Sequence, residues 1–143
     1  MSDGAAQVLT FEEIAVGRKA RLEVRLTPEM IDAFARLTGD LNPLHVSDEF
    51  AKSRGFPSRL AHGLLSAAFF STICGMLLPG RDCLLQNVRF DFRKPVPAGT
   101  ELTLEASVVQ KIDAVRTLVL EVTARNAAGE VVLSGKIQAG VFA

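Results

Sequence analysis

Gly63-Leu-Leu-Ser-Ala-Ala-Phe-Phe-Ser-Thr-Ile-Cys-Gly-Met-Leu-Leu78 is the stretch that decides the architecture of this chain. Its apolar residues, from Leu64 and Leu65 through Phe69, Phe70 and Ile73 to Met76 and Leu77, fall on every face of a helix. A helix that is apolar all round is expected to be buried, so other parts of the chain must wrap it. The wider apolar run Leu60–Leu78 is interrupted by His62-Gly63, contains Ser and Thr, and stops at Pro79-Gly80. It is marginal as a membrane span and reads better as the centre of a folded core.

The wrapping comes from downstream. In Asn87–Arg93, Val88, Phe90 and Phe92 alternate with polar residues, and Glu101–Val109 alternates Leu102, Leu104, Ala106 and Val108 in the same way. Thr117–Arg125 and Glu130–Val141 repeat the pattern on either side of Asn126-Ala-Ala-Gly129, a good hairpin turn. These segments predict a four-stranded antiparallel meander packed on the helix. Upstream, Lys19–Leu26 alternates as a half-buried strand, and Thr27-Pro28-Glu29 opens a helix with Thr as N-cap and Pro at the first helical position. Met30, Ile31, Phe34 and Leu37 follow at helical spacing until Gly39 stops that helix. Asp40–Arg59 reads mostly as loop, with a short helix near Asp48–Ser53. The order predicts an α+β fold, an antiparallel sheet curled around one long central apolar helix in the hot-dog manner, in a single domain over residues 1–143.

Composition narrows the function classes. The formal net charge is zero, with 16 Lys+Arg against 16 Asp+Glu, so no overall field attracts a polyanion and nucleic acid is not expected as a partner. Met1–Ala20 has no basic region followed by an apolar stretch and a cleavage site, so neither secretion nor a membrane is expected and the chain reads as cytoplasmic. Cys74 and Cys83 have no metal-ligand spacing and are expected to be free thiols, with Cys74 a small hydrophobe in the helix. Gly-rich phosphate loops, His-Glu-x-x-His, Cys-x-x-Cys and the Gly-x-Ser-x-Gly elbow are absent from the sequence, and a catalytic metal is not expected.

Chemistry concentrates in Phe34-Ala-Arg-Leu-Thr-Gly-Asp-Leu-Asn-Pro-Leu-His45. A carboxylate and an imidazole flank an Asn-Pro step just past a helix end. The residue before proline is driven out of helical conformation and folds the chain back, so Asp40 and His45 can converge on one small volume. Such a pair can take and return protons on one bound water near neutral pH. Each residue alone is more ordinarily a loop carboxylate or a surface histidine. The pattern gains weight because both histidines of the chain flank this loop. His62 itself is expected to cap the long helix or bond a nearby carbonyl, and its replacement to cost mainly stability. Gly63, at the start of a buried helix, leaves backbone N–H groups open to a ligand, where the helix dipole would favour a developing oxyanion. Arg54, Arg59, Arg81, Arg89, Arg93 and Lys94 could each meet a phosphate, and nothing in the sequence ranks them.

The run Gly39-Asp40, Asn42-Pro43-Leu44-His45 and Ala51, continued by Ala61-His62-Gly63 and the apolar helix to Leu78-Pro79-Gly80, resembles the MaoC-like (R)-specific enoyl-CoA hydratases over nearly the whole chain. The resemblance implies a hot-dog domain that forms a homodimer with sheets joined edge to edge, acting on an acyl-CoA or acyl carrier protein thioester without a cofactor. It implies that Asp40 and His45 hold the catalytic water, that the Gly63 N–H binds the thioester oxygen, that Asn42 steadies the loop and that Ser71 faces the acyl chain. The expected reaction is reversible hydration of a trans-2-enoyl thioester to the (R)-3-hydroxyacyl thioester. Two alternatives stand beside it: a hot-dog thioesterase working with a lone carboxylate, and a non-catalytic acyl-thioester-binding dimerisation module.

Overall fold

The computed structural model describes residues 4–142 of the chain. Strand β1 (Lys19–Arg25) leads into α1 (Pro28–Thr38), two short helices α2 (Pro43–Val46) and α3 (Asp48–Ser53), and α4 (Gly63–Thr72). Four strands come after them: β2 (Cys83–Phe92), β3 (Glu101–Ile112), β4 (Thr117–Arg125) and β5 (Val131–Val141). They join β1 in one antiparallel sheet of order β1-β3-β4-β5-β2. This is the α+β hot-dog arrangement that the periodicity predicts.

Local chemistry sets the ends of α1 as expected. Thr27 caps it by accepting a hydrogen bond from Met30 N, and Gly39 ends it in the left-handed region at φ 78°, where a residue without Cβ is unstrained. The core forms where Leu65, Ala67, Phe70, Ile73 and Cys74 meet the inward residues of β3, β4 and β5. Both cysteines are free thiols. Among the described residues no helix is long and apolar enough to cross a membrane.

Some expectations are corrected. The four strands are not a simple meander: β3, β4 and β5 are, but β2 pairs with β5 at the far edge. The cause is the connection after β2, which carries Pro95 and Pro97 and crosses the start of α4, bonding Ala61 N to Val96 O and Ala98 N to Arg59 O. It delivers β3 to the other side of the sheet. The central helix also changes type, running as α only to Thr72 and then as a π-helical turn over Ile73–Leu77. Nor is it buried on every face. Leu64, Ala68 and Ser71 are exposed, as are Leu84, Leu85, Val88 and Phe92 on β2, because one five-stranded sheet covers only one side of the helix. Finally, the Asn-Pro turn in the predicted loop is itself helical, forming α2.

Candidate active site

Asp40 follows the left-handed Gly39 directly, so it leaves the end of α1 on a reversed path. Its Oδ1 accepts the Asn42 N–H at 3.2 Å, an Asx turn that fixes the carboxylate. Asn42 Oδ1 in turn accepts from Leu44 N at 3.0 Å and N-caps α2, which carries His45. Three consecutive local devices therefore turn the chain back between Gly39 and His45. They bring Asp40 Oδ2 to 3.9 Å from His45 Nε2.

His45 is held from behind. Its Nδ1 lies 2.8 Å from the Leu60 carbonyl, which can only accept, so the N–H sits on Nδ1 and the lone pair of the neutral ring is on Nε2. The segment carrying that carbonyl is pinned in return, with Leu60 N bonded to Leu44 O at 2.8 Å. Arg59, whose side chain is only 13% exposed, bonds Asp32 Oδ1 at 2.6 Å and reaches the His45 carbonyl at 3.4 Å. The bond to Asp32 holds that carboxyl below the usual aspartate range and raises Arg59. Arg59 is thus a strut under α2. Its role is invisible in a sequence where it is one of many arginines.

His62 packs into the same place. It occupies the cap position of α4 without making a side-chain cap bond, so the capping alternative is corrected; its Nε2 lies 3.0 Å from the Asp40 main-chain carbonyl. Its ring stacks on His45 with centroids 3.8 Å apart, and Phe34 packs at 4.8 Å. Ligand atoms of Asp40, His45 and His62 all lie within 4.8 Å of one another. A metal fits this set poorly. The imidazole planes are only 25° from parallel, so their lone pairs do not converge on one point, and His62 Nε2 is already engaged with a carbonyl.

Two cavities flank α4. One, of about 350 Å³, is lined by Gly63, Ser66, Phe92, Arg93, Lys94 and Val96 among others. The Gly63 N–H has no partner among the described residues, and Ser66 Oγ is buried without one. The Phe92 ring lies so close to Gly63 that a Cβ there would sit 2.9 Å from Phe92 Cε1, so the glycine admits that ring as well as any ligand. The other cavity, of about 240 Å³, is almost wholly apolar, and Leu64, Ala68, Ser71, Leu85, Val88 and Phe90 contribute to it. Ser71 thus lies on the bare face of the helix and lines a different cavity from the one at Gly63. Neither cavity is lined by Asp40 or His45. The Asp40 side chain is 51% exposed, so in the single chain the pair borders solvent on one side.

Comparison with known proteins gives a consistent result. The family profile described as MaoC like domain matches residues 10–130. The chain is 34% identical over 126 residues to an (R)-specific enoyl-CoA hydratase of Rhodospirillum rubrum, covering 88% of this chain and 87% of that one. It is 35% identical over 130 residues to a 3-hydroxybutyryl-CoA dehydratase of Methylorubrum extorquens, covering 91% and 82%. An (R)-hydratase structure from Aeromonas caviae superimposes with a TM-score of 0.89 at 31% identity, over 91% of this chain and 98% of that one.

Proposed function

This chain belongs to the MaoC-like family, and from that premise we propose that it is a hydro-lyase that adds water reversibly to a trans-2-enoyl-CoA, giving the (R)-3-hydroxyacyl-CoA. One observation carries the mechanism. Asp40 Oδ2 and His45 Nε2 are 3.9 Å apart, too far for a direct hydrogen bond, and with the proton on His45 Nδ1 both are acceptors. Two acceptors at that separation suit one shared water that donates a hydrogen to each and aims its lone pair outward.

In the forward reaction that lone pair attacks the third carbon of the conjugated thioester. The water loses one proton to the pair, and the pair returns a proton to the second carbon, so the elements of water are added and the pair is regenerated. The roles of acid and base belong to the coupled pair rather than to either residue alone. Attack pushes electrons onto the thioester oxygen, where the free Gly63 N–H and the positive end of α4 stabilise the enolate. The apolar cavity with Ser71 suits the acyl chain, and Arg93 brings positive charge to the cavity beside Gly63, where the Lys94 charge is paired with Glu130; that charge suits a phosphorylated carrier.

The working unit is a homodimer in this reading. The bare faces of α4 and β2 are what a second copy would cover, enclosing the apolar cavity between them. The test is hydration of crotonyl-CoA, followed as loss of the enone absorbance. Asp40→Asn and His45→Gln are expected to fold normally and to lose at least about a hundredfold in rate, the scale of acid–base assistance. Near-wild-type rates in either variant would remove the mechanism. Release of free CoA from saturated acyl-CoA, without hydration, would favour a thioesterase, and binding of many enoyl lengths without turnover would favour a non-catalytic module.

A further inference from the structure

His62 is 2% exposed, and the hydration mechanism makes no direct use of it. Its Nε2 faces the Asp40 main-chain carbonyl at 3.0 Å, and a carbonyl only accepts, so Nε2 carries the hydrogen. The lone pair of the neutral ring is then on Nδ1, which is buried and has no partner among the described residues. An acceptor left bare in the interior costs free energy, so this placement must be enforced by the rest of the ring's contacts. Those contacts reach both members of the proposed acid–base pair. The N–H tethers the backbone of Asp40; one face of the ring lies on His45, with centroids 3.8 Å apart; Phe34 packs at 4.8 Å; and the next residue is Gly63.

We infer that His62 is a positioning residue for the hydration, a single buried ring that sets the Asp40 carboxylate and the His45 imidazole relative to one another. This role rests on the function proposed above and adds a residue to it. Leu60 O fixes only the Nδ1 edge of His45; the stack on His62 fixes the tilt of the ring, and so where Nε2 points. The Asx turn at Asn42 fixes only Oδ1 of Asp40, and the tether at its carbonyl keeps the carboxylate from swinging away with the exposed loop. Such misplacement acts on turnover more than on binding.

Two measurements test this on the intact protein. The chain has only two histidines, so long-range proton–nitrogen correlation spectra of the imidazoles read both tautomers, with His45→Gln assigning the signals. The expected result is hydrogen on Nε2 of His62 and on Nδ1 of His45; hydrogen on Nδ1 of His62 would overturn the tether. The second measurement compares His62→Phe, which keeps a ring between Phe34 and His45 but has no donor, with His62→Gln, whose amide nitrogen can reach the Asp40 carbonyl. His62→Phe is expected to keep a melting temperature close to wild type and to lose at least about tenfold in kcat with KM within about threefold. His62→Gln is expected to recover part of that loss. A His62→Phe enzyme with wild-type kcat, while Asp40→Asn is inactive, overturns the inference and leaves the hydration reading standing. If Asp40→Asn is active as well, it is that reading which falls. Should His62→Phe not fold, the spectra and the kcat of His62→Leu, which has neither ring nor donor, decide, with hydrogen on Nδ1 of His62 or wild-type turnover in His62→Leu overturning the inference.

Discussion

Asp40 divides its two carboxylate oxygens between structure and chemistry. Oδ1 is taken by the Asn42 N–H, and Oδ2 faces the two histidines at 3.9 and 4.0 Å. Replacement by Asn keeps an oxygen for the turn, which is why Asp40→Asn should fold normally while losing hydration. Asp32 makes the complementary case of a carboxylate that serves only as a strut. Its hydrogen bond to Arg59 lowers its pKa in the folded chain. A lowered folded value means that this stabilisation is present above the unfolded aspartate value, about 3.9, and is lost as pH falls through the lower folded one. Asp32→Asn should therefore melt below wild type at pH 7, with the gap closing toward pH 3. An equal gap at both pH values would show that the ion pair is not what the substitution removed.

The elements differ in how completely they are covered. On α4, Phe70 is 1% exposed and stacks against Phe90 at 5.8 Å, so Phe70→Ala leaves a cavity that the sheet cannot collapse to fill. The expected loss is about 3–5 kcal/mol in a denaturant titration, and a value under about 1 would mean that the core repacks around the gap. The two edge strands are managed differently. Along β1 the outward side chains pair as Lys19–Glu105, Arg21–Glu23 and Arg25–Glu101, a charged rim of the kind that discourages further strand addition. On β2, Leu84, Leu85, Val88 and Phe92 are exposed instead. The bare edge is next to the bare face of α4, and both contribute to one apolar cavity.

At the scale of the whole molecule, that asymmetry is the argument for a second copy. A contiguous apolar surface of this kind marks an interaction site rather than ordinary scatter of exposed hydrophobics. Val88 is 48% exposed in the single chain, so Val88→Lys should cost the isolated fold little while burying an unpaired charge in any assembly that covers β2. Sedimentation should give twice the chain mass for the wild type and the single-chain mass for Val88→Lys, with hydration lost in the variant. A wild-type protein that sediments as a single chain would sink the dimer and, with it, the idea that a partner encloses the apolar cavity between α4 and β2.

Much of the molecule is legible in its residues alone. Period-two alternation places β3, β4 and β5, the Thr-Pro start and Gly39 bound α1, and the Gly-Asp-x-Asn-Pro-x-His string marks the turn that joins Asp40 to His45, because each is a local pattern written within a few residues. Strand order is not legible there. Whether β2 neighbours β3 or β5 depends on which way a proline-containing connection crosses α4, and no residue in β2 encodes that. The uncovered side of α4 is hidden for a similar reason: apolar residues on every face say that something must cover them, not whether it belongs to the same chain. The stack of His62 on His45 and the strut from Arg59 likewise join residues 17 and 14 positions apart, meetings that only the packing of one element on another decides.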